Sequence, residues 1–175
     1  MHFTETKLKG AYILDLKPIE DERGFFARTF CVQEFEAHGL NPCVVQCNVS
    51  YNKHKGTLRG MHYQSAPHAE AKLVRCICGA IYDVIIDLRP ESPTFKQWVG
   101  VELTASNRRM LYVPEGLAHG FQTLEDETEV FYQMSEFYFP QSAQGVRWDD
   151  PAFQIDWPPA ERVISSKDIS YPDFV

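Results

Sequence analysis

The chain has 175 residues, of which 44% are hydrophobic, 13% aromatic and 23% charged, with a net charge of −7 and a pI near 5.3. That size suits one core, with residues 1–175 as a single domain, and the composition lies far from that of disordered chains. The acidic balance supplies no basic field for a nucleic-acid backbone, and no apolar run of about 18 residues is present to span a membrane.

In chain order, "MHFTETKLKGAYIL" lacks the long apolar run behind a basic head that marks export. Cys31, Cys43, Cys47, Cys76 and Cys78 are odd in number and form no CxxC pair, so reduced thiols and a cytoplasmic protein are expected, with Cys47 and Cys76 packing in strands. Helix is scarce: only "VQEFEAHGL" (32–40) has apolar spacing near 3.6 and a glycine at its end. "KLVRCICGAIYDVIIDL" (72–88) alternates with period two and reads as one long strand or a pair bent at Gly79. In it Val74, Cys76, Cys78, Tyr82, Val84, Ile86 and Leu88 share one parity, and Arg75, Asp83 and Asp87 the other.

Further strands are expected at 97–103, 109–114, 119–124 and 128–139, separated by the turn signals "RPESP", "TASNR", "PEG" and "LEDE". Short strands spaced this evenly predict an all-β sandwich or barrel with a few short helices. The Pro- and Asp-rich segment after Trp148 is expected to wrap the outside of the barrel or to form a lid.

The chemistry concentrates in "GTLRGMHYQSAPHAEAKLVRC" (56–76) and "VPEGLAHGFQ" (113–122), which place His62 and His119 on strands. Together "RGMHYQ" and the Pro-x-Gly-x-x-His pattern resemble the two halves of a cupin metal signature, in which histidines and a carboxylate converge on one ion. Here Gln64 stands where the first half would supply a second histidine, and neither His68 nor Glu70 is placed by its spacing to replace it. No metal site is expected. A lone histidine among apolar residues is more often a satisfied core residue than a base. What argues for chemistry is the company of Arg59, Lys72 and Tyr132, with Gln46 and Asn48 in "QCNVS", a set suited to phosphate binding and enolate stabilisation.

At these residues the chain resembles a known family. The succession "DERGFFARTF", "QCNVSYN", "GTLRGMHYQ", "KLVRC", "VIIDLRPESPTFKQWVGVEL", "LYVPEGLAHGFQTL", "VFYQMSEFY" and "RWDDPAFQIDWP" is similar, in order and spacing, to the dTDP-4-dehydrorhamnose 3,5-epimerase family. The resemblance implies a homodimeric cupin-type double-stranded β-helix (jelly-roll barrel) without metal or organic cofactor. It implies epimerisation, at C3, C5 or both, of a nucleotide-linked 4-keto-6-deoxyhexose through an enolate. His62 matches the family base, Tyr132 the acid, Lys72 the cation at the C4 oxygen, and Asp168 the carboxylate behind the histidine, with Asp83 as a fallback partner although an exposed strand position suits it better. Arg23, Arg28, Gln46, Asn48, Arg59, His119 and Lys167 fall on substrate-contact positions. Two nucleotide-end positions depart from the family pattern: Arg28 and, after the acid-bearing strand, Ala143 stand where it carries glutamates, which leaves the nucleotide open.

Three other functions fit the same barrel. A 4-keto sugar isomerase would use the same base, a sugar-binding cupin would bind without solvent exchange, and a metal-dependent oxygenase would carry near-stoichiometric metal.

Overall fold

A computed structural model describes residues 1–175. Its elements are β1 (His2–Glu5), β2 (Tyr12–Asp15), β3 (Ile19–Asp21), β4 (Gly24–Phe26), α1 (Val32–Ala37), β5 (Gln46–Asn52), β6 (Thr57–Gln64) and β7 (Lys72–Cys78). There follow β8 (Ala80–Asp87), β9 (Trp98–Thr104), β10 (Met110–Val113), β11 (Leu117–Thr123), β12 (Thr128–Met134), β13 (Ala143–Gly145), β14 (Val163–Ile164) and α2 (Ser166–Ile169). One six-stranded sheet runs β1-β2-β10-β7-β12-β5 and the other β13-β6-β11-β8-β9, with β14 parallel on β6 and a separate β3–β4 hairpin.

Alternate residues of the two sheets meet in one interior cluster: Val74, Leu111 and Val130 from the first sheet, Ile81, Ile85, Leu117 and Phe121 from the second. This is the jelly-roll barrel expected from the strand spacing. Each sheet also has a covered outer face. On the first, Phe35 of α1 packs over Leu14, Leu73 and Met110. On the second, Phe153 and Trp157 of the C-terminal segment pack over Leu58, Met61, Val84 and Ile86. The segment after Trp148 therefore does wrap the outside of the barrel.

The chain changes sheets at Gly79, whose φ of +73° and close approach to Thr128 leave no room for a Cβ. The parity shared across 72–88 consequently faces inward before the bend (Val74, Cys76) and toward the outer layer after it (Val84, Ile86). Asp83, expected on the surface, is instead fully buried. Cys47 is the opposite correction: β5 turns Gln46, Asn48, Ser50 and Asn52 to the cavity side and leaves Cys47, Val49 and Tyr51 exposed, while Cys76 is buried as expected.

Candidate active site

Strict alternation would send Arg59 and His62, three residues apart, to opposite faces of β6. Against β11, however, Phe121 pairs with Arg59 and His119 with His62, so three steps on β6 oppose two on its neighbour. This β-bulge at Gly60–Met61 turns both side chains into the barrel. Gly60 has a φ of +118°, and a Cβ there would lie 2.6 Å from Gly120 Cα; only glycine fits the approach of the two strands.

His62 Nε2 lies 2.6 Å from Asp168 Oδ1. The aspartate arrives on α2, capped by Ser165, and its other oxygen accepts from the Gly60 N–H at 3.4 Å. Burial pushes the Asp168 pKa up, but the His62 hydrogen bond and charge, the Ser165 hydroxyl and the Gly60 N–H outweigh it, and the carboxyl sits below the ordinary value. Several contacts dock the segment that carries it. The Tyr171 ring lies against Gly145, Phe174 packs on Phe153, and the Phe174 N–H donates to the buried Asp150 carboxylate at 2.7 Å.

Lys72 and Tyr132 project from the opposite sheet. Lys72 Nζ is 3.0 Å from Glu70 Oε1 and donates to the His62 carbonyl at 3.3 Å. Tyr132 is held above its usual pKa by burial first and by the Glu70 charge, with the Arg59 cation pulling the other way. Arg59 is itself aimed: its Nε donates to Asn52 Oδ1 at 2.7 Å, and Asn52 is fixed to the Ser50 and Thr128 carbonyls. Beside His62, His119 Nε2 lies 2.6 Å from Asp83 Oδ1; burial, the largest influence, raises the Asp83 pKa against the pull of His119 and Lys72.

These groups stand where two cavities join. One, of about 550 Å³, is lined by Arg59, His119, Phe121 and Asp168 among others, and the second, of about 380 Å³, by Gln46, Asn48, Glu70, Tyr138 and Ala143 among others. His62, Lys72, Tyr132 and Lys167 line both. The structure thus brings together nine of the residues named from sequence: His62, Tyr132, Asp168, Lys72, Gln46, Asn48, Arg59, His119 and Lys167. Arg23 and Arg28 line neither cavity. Arg23 sits at the exposed β3–β4 turn paired with Asp21, and Arg28, exposed on the link from that hairpin to α1, is paired with Glu34. Sequence reasoning missed Asp83 as the partner of His119, and gave Glu70 no place in the cavity.

Gln64, at the cupin position for a second histidine, pins a loop instead: its amide donates to the His68 and Phe137 carbonyls and accepts from the Phe139 N–H. No three His, Cys, Asp or Glu side chains converge in a way that could hold a metal ion. No helix is long and apolar enough to cross a membrane.

The family model described as dTDP-4-dehydrorhamnose 3,5-epimerase matches residues 5–175. A relative of that name from Shigella flexneri is 44% identical, over 100% of this chain and 97% of its own. The crystal structure of dTDP-4-dehydrorhamnose 3,5-epimerase from Elizabethkingia anophelis superposes with a TM-score of 0.97 at 41% identity, covering 99% of this chain and 96% of that one. The Bacillus anthracis enzyme, solved with TDP and PPi bound, gives 0.94 at 43% identity and 99% coverage of both chains. With a jelly-roll barrel, a histidine–aspartate pair facing a tyrosine and a lysine, and similarity along its whole length, this chain belongs to the dTDP-4-dehydrorhamnose 3,5-epimerase family.

Proposed function

We propose that the protein epimerises dTDP-4-dehydro-6-deoxy-D-glucose to dTDP-4-dehydro-L-rhamnose by removing and returning protons at C3 and C5. The observation that carries this reading is that His62, backed by Asp168, and Tyr132, beside Lys72, stand on opposite sheets yet line the same space. The C4 ketone acidifies the hydrogens on its neighbouring carbons. His62 turns Nε2 to Asp168, which leaves Nδ1 to accept the proton. The electron pair moves onto the C4 oxygen, where the Lys72 ammonium stabilises the enolate more than the ketone. Tyr132, kept as a phenol, donates a proton to the other face of the carbon, and exchange with solvent resets the imidazolium and the phenolate.

Arg59 and Lys167 supply positive charge for the diphosphate, and Gln46, Asn48 and His119 supply donors and acceptors around the substrate. The reading takes residues 1–175 as one domain working in a cytoplasmic homodimer. Two features support the dimer: the apolar face of Val49, Tyr51 and Ile77, and the hairpin exposing Ile19, Phe25 and Phe26 beside Arg23. In a dimer that hairpin would carry Arg23 to a neighbour's cavity.

Proton NMR of dTDP-4-keto-6-deoxyglucose with the protein in deuterated water is the test. Deuterium at C3 and C5 with the L-lyxo product is the expected result. Exchange at one carbon makes the protein a monoepimerase, a 3-keto product makes it an isomerase, and binding without exchange makes it a sugar-binding module.

A further inference from the structure

The catalytic assignments leave one carboxylate lining the cavities without a task. Glu70 lies on the segment entering β7, is 7% exposed, and lines the second cavity with His62, Lys72 and Tyr132. Its Oε1 is 3.0 Å from Lys72 Nζ, while Oε2 is buried with no hydrogen-bond partner. Buried carboxylates are costly to leave half satisfied, so the position calls for an explanation.

Counter-charge alone does not account for it, because one oxygen is aimed at a single ammonium donor while the other is left without a partner. Glu70 also supplies direction. An ammonium has three donors on a flexible four-carbon stem. Glu70 takes one and the His62 carbonyl takes another, which leaves a single N–H for the cavity. The same carboxylate acts on Tyr132, where it opposes formation of the phenolate while Arg59 favours it. The other charged or titratable groups lining the cavities with this phenol are His62 and Tyr63 on β6, Lys72 on β7, His119 on β11, Tyr138 after β12, and Lys167 and Asp168 on α2.

We propose that Glu70 is a positioning residue of the epimerisation, holding the Lys72 ammonium to one remaining donor for the substrate oxygen and backing the Tyr132 phenol with negative charge. The assignment rests on the function proposed above. Removing the charge removes one influence that disfavours phenolate, so the phenol ionises at lower pH and the alkaline limb of the rate profile follows it down.

The experiment is the rate of epimerised product formation from dTDP-4-keto-6-deoxyglucose in deuterated water across pH, the step that uses the phenol, for the wild type, Glu70→Gln, Glu70→Asp, Lys72→Gln and the double variant Glu70→Gln/Lys72→Gln. Glu70→Gln is expected to slow product formation by about 10- to 100-fold at unchanged dTDP affinity, the scale of a misplaced catalytic group. Its alkaline limb is expected at lower pH, and Glu70→Asp to restore the limb. The double variant is expected to be no slower than Lys72→Gln alone. It leaves neither buried charge unpaired, so it keeps the test open where Glu70→Gln does not fold. An unmoved alkaline limb in Glu70→Gln, or a double variant slowed by the product of the two single losses, overturns the proposal. Absence of exchange in the wild type overturns the epimerase reading instead.

Discussion

Two histidine–carboxylate pairs stand on adjacent strands, His62 directly opposite His119, each with Nε2 2.6 Å from an aspartate Oδ1. The His62 side chain is 41% exposed and its partner Asp168 is held below the ordinary carboxylate pKa. The His119 side chain is 9% exposed, and its partner Asp83, with no exposure, is pushed above that value. Identical pair geometry therefore does not fix a role; surroundings do. An anionic partner stabilises an imidazolium and so suits a base that must gain a proton, whereas desolvation makes the inner pair resist separated charge and suits a fixed hydrogen-bonding contact.

Changing the outer pair should have the largest effect. His62→Ala is expected to abolish deuterium exchange at both carbons with nucleotide-sugar binding kept, and Asp168→Asn to lose about 10² to 10⁴ in rate, the usual contribution of a positioned acid or base. Tyr132→Phe should divide the reaction: proton removal continues and solvent exchange is retained, but product formed by return on the opposite face falls by a factor of about 10² to 10⁴. Product at the wild-type rate would remove Tyr132 from its role.

The inner pair should be milder. Asp83→Asn is expected to cost less than about tenfold in rate, because an amide preserves the shape and hydrogen-bonding capacity of a carboxyl that burial disfavours as an anion. A loss equal to that of Asp168→Asn would break the distinction between the pairs. The smallest effect sharpens it through stability. Asp168, with its lowered pKa, contributes stability above the ordinary carboxylate range that is lost as pH falls through its folded pKa. Asp83, with its raised pKa, contributes stability at low pH that is lost as pH rises through its folded value. Thermal melts of the two asparagine variants against pH should consequently differ from the wild type with opposite slopes.

The outer pair was legible in the sequence and the inner one was not, for a physical reason. His62, Tyr132, Lys72 and Asp168 could be assigned through family resemblance, and the strands through period-two alternation. Asp83 could not be placed by alternation, because parity reverses its meaning where the chain changes sheets at Gly79 and because β8 is covered on both faces. Nor does alternation explain how Arg59 and His62 share a face. The local signal for that bulge was present in the glycine of "RGMH", inside an otherwise continuous strand. Arg23 and Arg28 were named through the resemblance, and in this chain they pair with nearby carboxylates, outside both cavities.

Asp168 reaches His62 across 106 residues of chain, on a segment whose strand pairing with β6 is the two residues of β14 and whose end is held by Phe174 and Tyr171. Contacts of such separation form late, since the closure entropy of so long a loop is offset only once the surface that receives it exists. Turnover is therefore a clock for the last step of folding. During renaturation the sheet signal should return before activity does, and a chain nicked between Trp148 and Val163 that releases its downstream piece should remain a formed barrel whose histidine has no carboxylate behind it.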